Sequence, residues 1–477
     1  MAFRRPPEDK LALTDWRGLA CVAAVAWVAR IAIAAWTLDR FPPAHDGVRY
    51  DALAIRLAQG LGYTWSWPDG KVTPVAHYPV GYPALLAAVY RLLGPSPHAA
   101  AILNAMLGTV VAITVFLSVG GVASRRCARA AGVSVAMHPG MVLFTPCIMS
   151  EGAFTAAISL AAFGVIRAAR GRHDWTRWTD RSLLGISLAG AMLIRPQAIL
   201  CLPFFSWSAT RAIQSRTRRA LAIAWIGLLA LGLCVPWTVR NGHTFGRYAF
   251  VSMNGGWNLL IGAQPGATGG WQSVQVPASC SGVFGEAETD SCFAREARHL
   301  IVNEPIRWVL LAPRKLAFTF DCGAIGGYYL FLSNPKLFPW RAVLGAAGFE
   351  TLVERAALFV CLIHEARRQS ARQRLRRIMG YGGAAFLLTP AAWISVVSLA
   401  LLLLPCWSRA RPAGTGALRD VVSVILWTTI ATHAVFFGEP RFAMVTYPWV
   451  IALAAVGLEE MARTPRLPRE PSVPSLK

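Results

Sequence analysis

The apolar positions of this chain come in long blocks rather than at strand or surface-helix spacing. Blocks at 18–36, 97–119, 151–167, 221–237, 387–406, 421–437 and 442–458 have lengths near that needed to cross about 30 Å of hydrocarbon. A further block rises to Phe144, and shorter ones lie at 183–194 and 198–207, broken at Arg195-Pro196. Residues 306–320 and 343–362 are also candidate spans. The pattern predicts an all-α polytopic membrane protein with ten to twelve spans and helices in its outer loops. No internal repeat is visible.

Two polar stretches interrupt this pattern at length, at 37–96 and 238–304. Within the first, 47–59 alternates apolar and charged positions as a short helix lying on a membrane does. Residues 82–93 are apolar but too short to span, which predicts a second interfacial helix. The stretch 238–304 is rich in glycine and turn-forming residues, and loops of that length are more often functional than idle.

Charge orients the chain. Of 477 residues only 15% are charged, and the net charge is +23. Nearly all basic residues are arginine, with lysine only at 10, 71, 315, 336 and 477. Basic residues on the cytoplasmic side of spans explain this excess, together with attraction to anionic lipid. The basic runs are short and lie between apolar blocks, so nucleic-acid binding is excluded. The expected order is a cytoplasmic segment at 1–17, a membrane domain at 18–458 and a Pro- and Arg-rich cytoplasmic tail at 459–477. The first block reads as an uncleaved span. One conflict arises: the arginine-rich run 364–377 and Arg409, Arg411 and Arg419 flank a single block. Either that run is outside, or 381–406 forms a short re-entrant pair. Most cysteines sit in apolar blocks and show no metal spacing. Cys280 and Cys292 share the long polar loop, where a disulfide would form in an oxidising compartment.

The candidate chemistry gathers in the outer segments. Asp46, just beyond the first block, can take or orient an acceptor proton, or can cap the helix that follows. Asp51 is a weaker candidate that fits a surface ion pair. Glu151 opens a span, where a carboxylate requires a partner, a metal or water. His45 and His77 could join Asp46 or Glu151 around a divalent metal ion, though the spacing specifies none. Arg195, Arg240 and Arg441 are placed to hold a phosphate through bidentate contacts, with Lys315 a weaker candidate. Tyr50, Tyr78 and Tyr82 can line a cleft or anchor the interface.

Several segments, in order, resemble the integral-membrane glycosyltransferases of the GT-C fold. They are His45-Asp46-Gly47 with Tyr50, Gly60-Leu61-Gly62-Tyr63 and Tyr78-Pro79-Val80-Gly81-Tyr82-Pro83. Ser150-Glu151, Arg195-Pro196 and Pro236-Trp237-Thr238-Val239-Arg240-Asn241 follow, then Gly255-Gly256-Trp257-Asn258-Leu259 with Gly262, and Arg441-Phe442 before Tyr447-Pro448. The resemblance is to the branch of aminoarabinose transferases, protein O-mannosyltransferases and rhizobial galacturonosyltransferases. It implies an inverting transfer of a sugar from a polyprenyl-phosphate donor to a lipid, glycan or protein acceptor. It also implies a bacterial inner-membrane location with the site on the periplasmic or extracellular side, and a divalent metal in some members. Asp46 matches the family's catalytic Asp. Val80 replaces a frequent second proline, and His45 stands where a paired acid is common. Without the large soluble C-terminal domain of some relatives, acceptor binding is expected of the outer loops. A transporter or flippase of a lipid-linked anion is the alternative, and it would favour charges deep within spans and a repeat.

Overall fold

The computed structural model describes residues 15–170, 174–321, 323, 325–369, 373–404 and 415–463. The basic residues before 15, the arginines at 409 and 411 and the tail after 463 lie outside the described residues. Of the described residues 76% are helical. Among the described residues, its one sheet is the hairpin Thr64–Ser66 and Val72–Pro74, paired antiparallel with Trp65 opposite Thr73.

Local signals start the helices. Asp15 accepts from the Gly18 amide at 3.1 Å to open Trp16–Thr37, and Ser96 with Pro97 opens Pro97–Gly120. The expected loop helices form as Asp46–Ala58 and Gly81–Leu93. The second seats closely on the bundle: a Cβ at Gly81 would lie 2.6 Å from the Leu193 backbone. The buried core between long helices is rich in alanine, small enough for the close approach that holds helices together in lipid, with valine and leucine filling much of the rest.

Ion pairs define one end of the bundle. Asp15 meets Arg129 at 2.6 Å, Arg211 meets Asp420 at 2.6 Å, and His364 meets Glu460 at 3.1 Å. Arg419 pairs with Glu365 at the same end. The start of the disputed arginine run thus lies beside Arg419. The short helices Arg374–Phe386 and Trp393–Leu403 fold back on each other, with the Ser395 hydroxyl donating to the Gly383 carbonyl at 2.7 Å. The two helices thus form a helical hairpin over 374–403.

Among the described residues five helices are long and apolar enough to cross a membrane, or six if Pro305–Phe320 and Ile325–Ser333, bent by 79°, form one span. Some of the other expected spans are interrupted. Residues 125–143 break before Pro139, and 196–210 pass through a 3-10 turn at Pro196–Leu200. Trp340–Arg368 is long enough but carries Glu350, Glu354 and Arg355.

The opposite end holds residues 38–96, the long loop and the turn at 438–441. The long loop is braced by the expected disulfide, Cys280 to Cys292, with Cα atoms 6.0 Å apart. It also meets the turn: the Gly438 amide donates to the Gly269 carbonyl at 2.9 Å. A Cβ at Gly438 would lie 1.8 Å from the Lys315 carbonyl, so only glycine admits this contact.

Candidate active site

Asp46 lies in the first turn of Asp46–Ala58, at the end of the bundle that carries both long loops. Its oxygens do not cap the helix. Oδ1 accepts from the Tyr78 hydroxyl at 3.2 Å, and Oδ2 from Arg441 Nη1 at 3.0 Å. Arg441 comes from the 3-10 turn Pro440–Val445. The same guanidinium lies 3.1 Å from Glu151 and 2.8 Å from Glu439. Glu439 in turn accepts from the Tyr329 hydroxyl at 2.7 Å.

Arg195 completes the cluster. Its Nη2 pairs with Glu151, and its Nε donates to the Ser150 hydroxyl at 3.3 Å. Tyr50 reaches the same hydroxyl at 3.3 Å. Glu151 and Arg195 arrive together because one begins Ser150–Arg170 and the other ends Asp174–Ile194, and these two helices pack side by side. Burial separates the members. The side chains of Glu151 and Arg441 are 3% and 9% exposed, whereas that of Asp46 is 34% exposed. Asp46 is therefore the carboxylate an incoming group can reach.

The electrostatics follow from these neighbours. Burial alone would raise the Asp46 pKa, but the charge and hydrogen bond of Arg441, the Tyr78 hydroxyl and the charge of Arg195 outweigh it. The carboxyl is held below the ordinary aspartate range. Burial pushes Tyr50 up to about 12 and Tyr78 higher still, so both phenols remain protonated donors.

Other residues singled out in the sequence lie elsewhere. Tyr82 is fully buried and donates to Asn104 at 3.2 Å, its ring edge-on to Tyr50 at 5.5 Å. It supports the site from behind. Arg240 is spent on the backbone carbonyls of Val75 and Tyr63, at 2.7 and 3.1 Å, and does not reach the cluster. Lys315 is buried and donates to the Val435 carbonyl at 2.9 Å. Asp51 accepts from the Tyr90 hydroxyl at 2.5 Å, away from Asp46's partners. Glu439 and Tyr329 were not foreseen. Glu439 is two residues before Arg441 in a polar turn, a usable signal. Tyr329 lies in an apolar helix and gives none.

The donor set does not fit a divalent metal ion. Among the described residues no group of three or more His, Cys, Asp or Glu is placed to hold one. Arg441 instead supplies the positive charge facing Asp46, Glu151 and Glu439. His45 is exposed and sits edge-on to Tyr329 with ring centroids 6.5 Å apart.

A small pocket opens beside Glu151, Arg195 and Arg441. Beyond these charges its walls are mixed: Phe154, Ile158, Ile425 and Val445 are apolar, whereas Thr155, Thr429 and His433 are polar. Glu151 Oε2 is buried there without a hydrogen-bond partner.

Residues 77–239 match the dolichyl-phosphate-mannose-protein mannosyltransferase family. That segment contains Tyr78, Glu151 and Arg195. The resemblance to integral-membrane GT-C glycosyltransferases holds with this match. No curated protein matches the chain. Among solved structures, it is similar to the Pmt1-Pmt2 protein O-mannosyltransferase complex of S. cerevisiae bound to the sugar donor. There the identity is 15%, with 52% of this chain and 36% of that one covered and a TM-score of 0.39. It is also similar to the apo oligosaccharyltransferase of Archaeoglobus fulgidus, at 11% identity, 93% and 50% coverage and a TM-score of 0.48. For ArnT from Cupriavidus metallidurans bound to undecaprenyl phosphate the values are 15%, 93%, 77% and 0.37. Coverage thus takes in 36% to 50% of the length of the first two structures.

Proposed function

We propose that this protein is an inverting glycosyltransferase that takes a sugar from a polyprenyl-phosphate donor at the outer face of a bacterial inner membrane. The observation that carries this reading is the charged cluster of Asp46, Glu151, Arg195 and Arg441 beside a partly apolar pocket. A prenyl chain suits the apolar walls, and a phosphate suits Arg195 and Arg441, since guanidinium–phosphate bonds are strong and directional. Glu151 Oε2 is an open acceptor for a sugar hydroxyl.

In the reaction, an acceptor hydroxyl oxygen attacks the anomeric carbon from the face opposite the phosphate. The bond from that carbon to the phosphate oxygen breaks, and its electron pair stays on the phosphate. Arg195 and Arg441 stabilise the charge that develops there. Asp46, ionised and partly open, orients the acceptor hydroxyl and takes its proton as the new bond forms. The acceptor is a lipid, a glycan or a protein.

The test incubates purified protein with a panel of radiolabelled polyprenyl-phosphate sugars: neutral hexoses, uronic acids and amino sugars. Transfer into membrane lipid, glycan and protein fractions is compared for wild type and Asp46→Asn. The variant is expected to lose about 100-fold or more of the rate, the scale of general-base catalysis. Equal transfer by both would remove the role of Asp46.

A further inference from the structure

The two outer segments are joined at a point the proposed reaction does not use. Glu286 lies in the first turn of Glu286–Asn303, within the long loop. Its Oε2 accepts from the backbone amides of Ala76 and His77, at 2.5 and 2.8 Å, across about 210 residues of sequence. The Met253 amide, also in the long loop, donates to the Ala76 carbonyl at 2.8 Å. Residues 76 and 77 are thus fixed by bonds from outside their own segment. The His77 ring lies edge-on to Trp257 of the long loop at 5.4 Å and against Tyr78 at 4.9 Å. Tyr78 comes next in the chain, and its hydroxyl holds Asp46 Oδ1.

The helix that presents Glu286 is itself fixed. The disulfide ties its Cys292 to Cys280, and its Asp290 accepts from the Gly256 amide at 2.7 Å. A Cβ at Gly256 would lie 2.0 Å from the Asp290 carbonyl, so the two parts of the long loop meet backbone to backbone. The path from disulfide to Asp46 is a continuous series of bonds and ring contacts.

We propose that Glu286 is a positioning residue for the transfer reaction: by holding residues 76 and 77 it sets Tyr78 against Asp46. This rests on the glycosyltransferase reading above. It gives the long loop a defined task, which is to fix the geometry of a carboxylate it never touches. Both bonds end on one oxygen, so a glutamine can accept them in its place, whereas alanine leaves two amides without a partner.

The test measures kcat and donor KM separately, with whichever polyprenyl-phosphate sugar of the panel is transferred. Wild type, Glu286→Ala, Glu286→Gln, Tyr78→Phe and the double variant Glu286→Ala with Tyr78→Phe are compared. Glu286→Ala is expected to lower kcat by about 10- to 100-fold, the effect of a reacting group displaced by about 1 Å, with donor KM changed less than about twofold. Glu286→Gln restores most of the rate. The double variant is no more than about threefold slower than the slower single variant, because both changes break one path. Wild-type kcat in Glu286→Ala, or losses that multiply in the double variant, would overturn the proposal. If Glu286→Ala does not fold, Glu286→Asp replaces it: the acid is one methylene shorter, kcat falls at unchanged KM, and a wild-type kcat there overturns the proposal equally. A wild-type chain that transfers no sugar from any donor would sink the reaction and this role together. An active wild type with an indifferent Glu286 sinks this role alone.

Discussion

Arg441 Nη1 stands 3.0 Å from Asp46 Oδ2, although 395 residues separate them in the chain. The same guanidinium faces Glu151 and Glu439, so one cation faces three acids. In the proposed reaction, a donor phosphate would share Arg441 with those acids. Asp46, the most exposed of the three carboxylates, is the one whose contact can loosen at least cost.

Removing that cation should destabilise the fold. Arg441→Met leaves Glu151 and Glu439 buried with a partner lost, and breaking such a buried pair costs about 3–5 kcal/mol. Unfolding in detergent, followed by heat or denaturant, measures the loss. A variant as stable as wild type would mean that Arg195 alone compensates the cluster.

Arg195 should act on donor binding. Arg195→Lys keeps the charge but loses the planar fork. One charged hydrogen bond to phosphate is worth about 1.5–3 kcal/mol, so donor KM should rise by about tenfold or more. An unchanged KM would place the phosphate elsewhere.

Acid should reveal the Arg441 and Tyr78 contacts to Asp46. The folded carboxyl has a pKa below its ordinary value of 3.8. The stability this contributes is therefore present above pH 3.8 and is lost as pH falls through the lower folded value. Tyr78→Phe removes one bond to the ionised form and raises that pKa. The acidic limb of the rate profile should move upward by about one pH unit or less. A limb that stays in place would show that Asp46 is not the group titrating there.

His45 has φ 51° and ψ −126°, a backbone conformation that favours glycine. His45→Gly should raise stability by about 1 kcal/mol, within the 1–3 kcal/mol typical of such strain. Melting temperature reads this directly, and a fall would show that the ring contributes more than the backbone costs.

Breaking the Cys280–Cys292 disulfide should loosen the long loop by about 2–4 kcal/mol. Limited proteolysis of the Cys280→Ser, Cys292→Ser variant should cut within 238–304 faster than in wild type. Equal rates would mean that the packing of Trp257 on Phe293, 5.0 Å apart, suffices.

Much of the scaffold was legible in the chain. The loop helices expected at 47–59 and 82–93 form as Asp46–Ala58 and Gly81–Leu93, because amphipathic spacing and a leading acid or glycine are local signals. The pairing of Glu151 with Arg195 could be anticipated only as two charges at span ends. Arg240 looked equivalent to Arg195, yet it faces the carbonyls of Val75 and Tyr63. Nothing in its neighbours along the chain distinguishes the two. An apolar block likewise records what lipid or core will accept, not whether its helix continues through a proline, as at Pro139 and Pro196.

The order of apolar blocks and the identity of the charged groups between them are properties of the chain itself, because hydrocarbon penalises charge wherever it falls. Which acid meets which arginine was settled only by packing. Asp46, Glu151 and the turn that carries Glu439 and Arg441 come from distant segments, and their distances depend on how whole helices lean together. Local sequence carries no record of that angle.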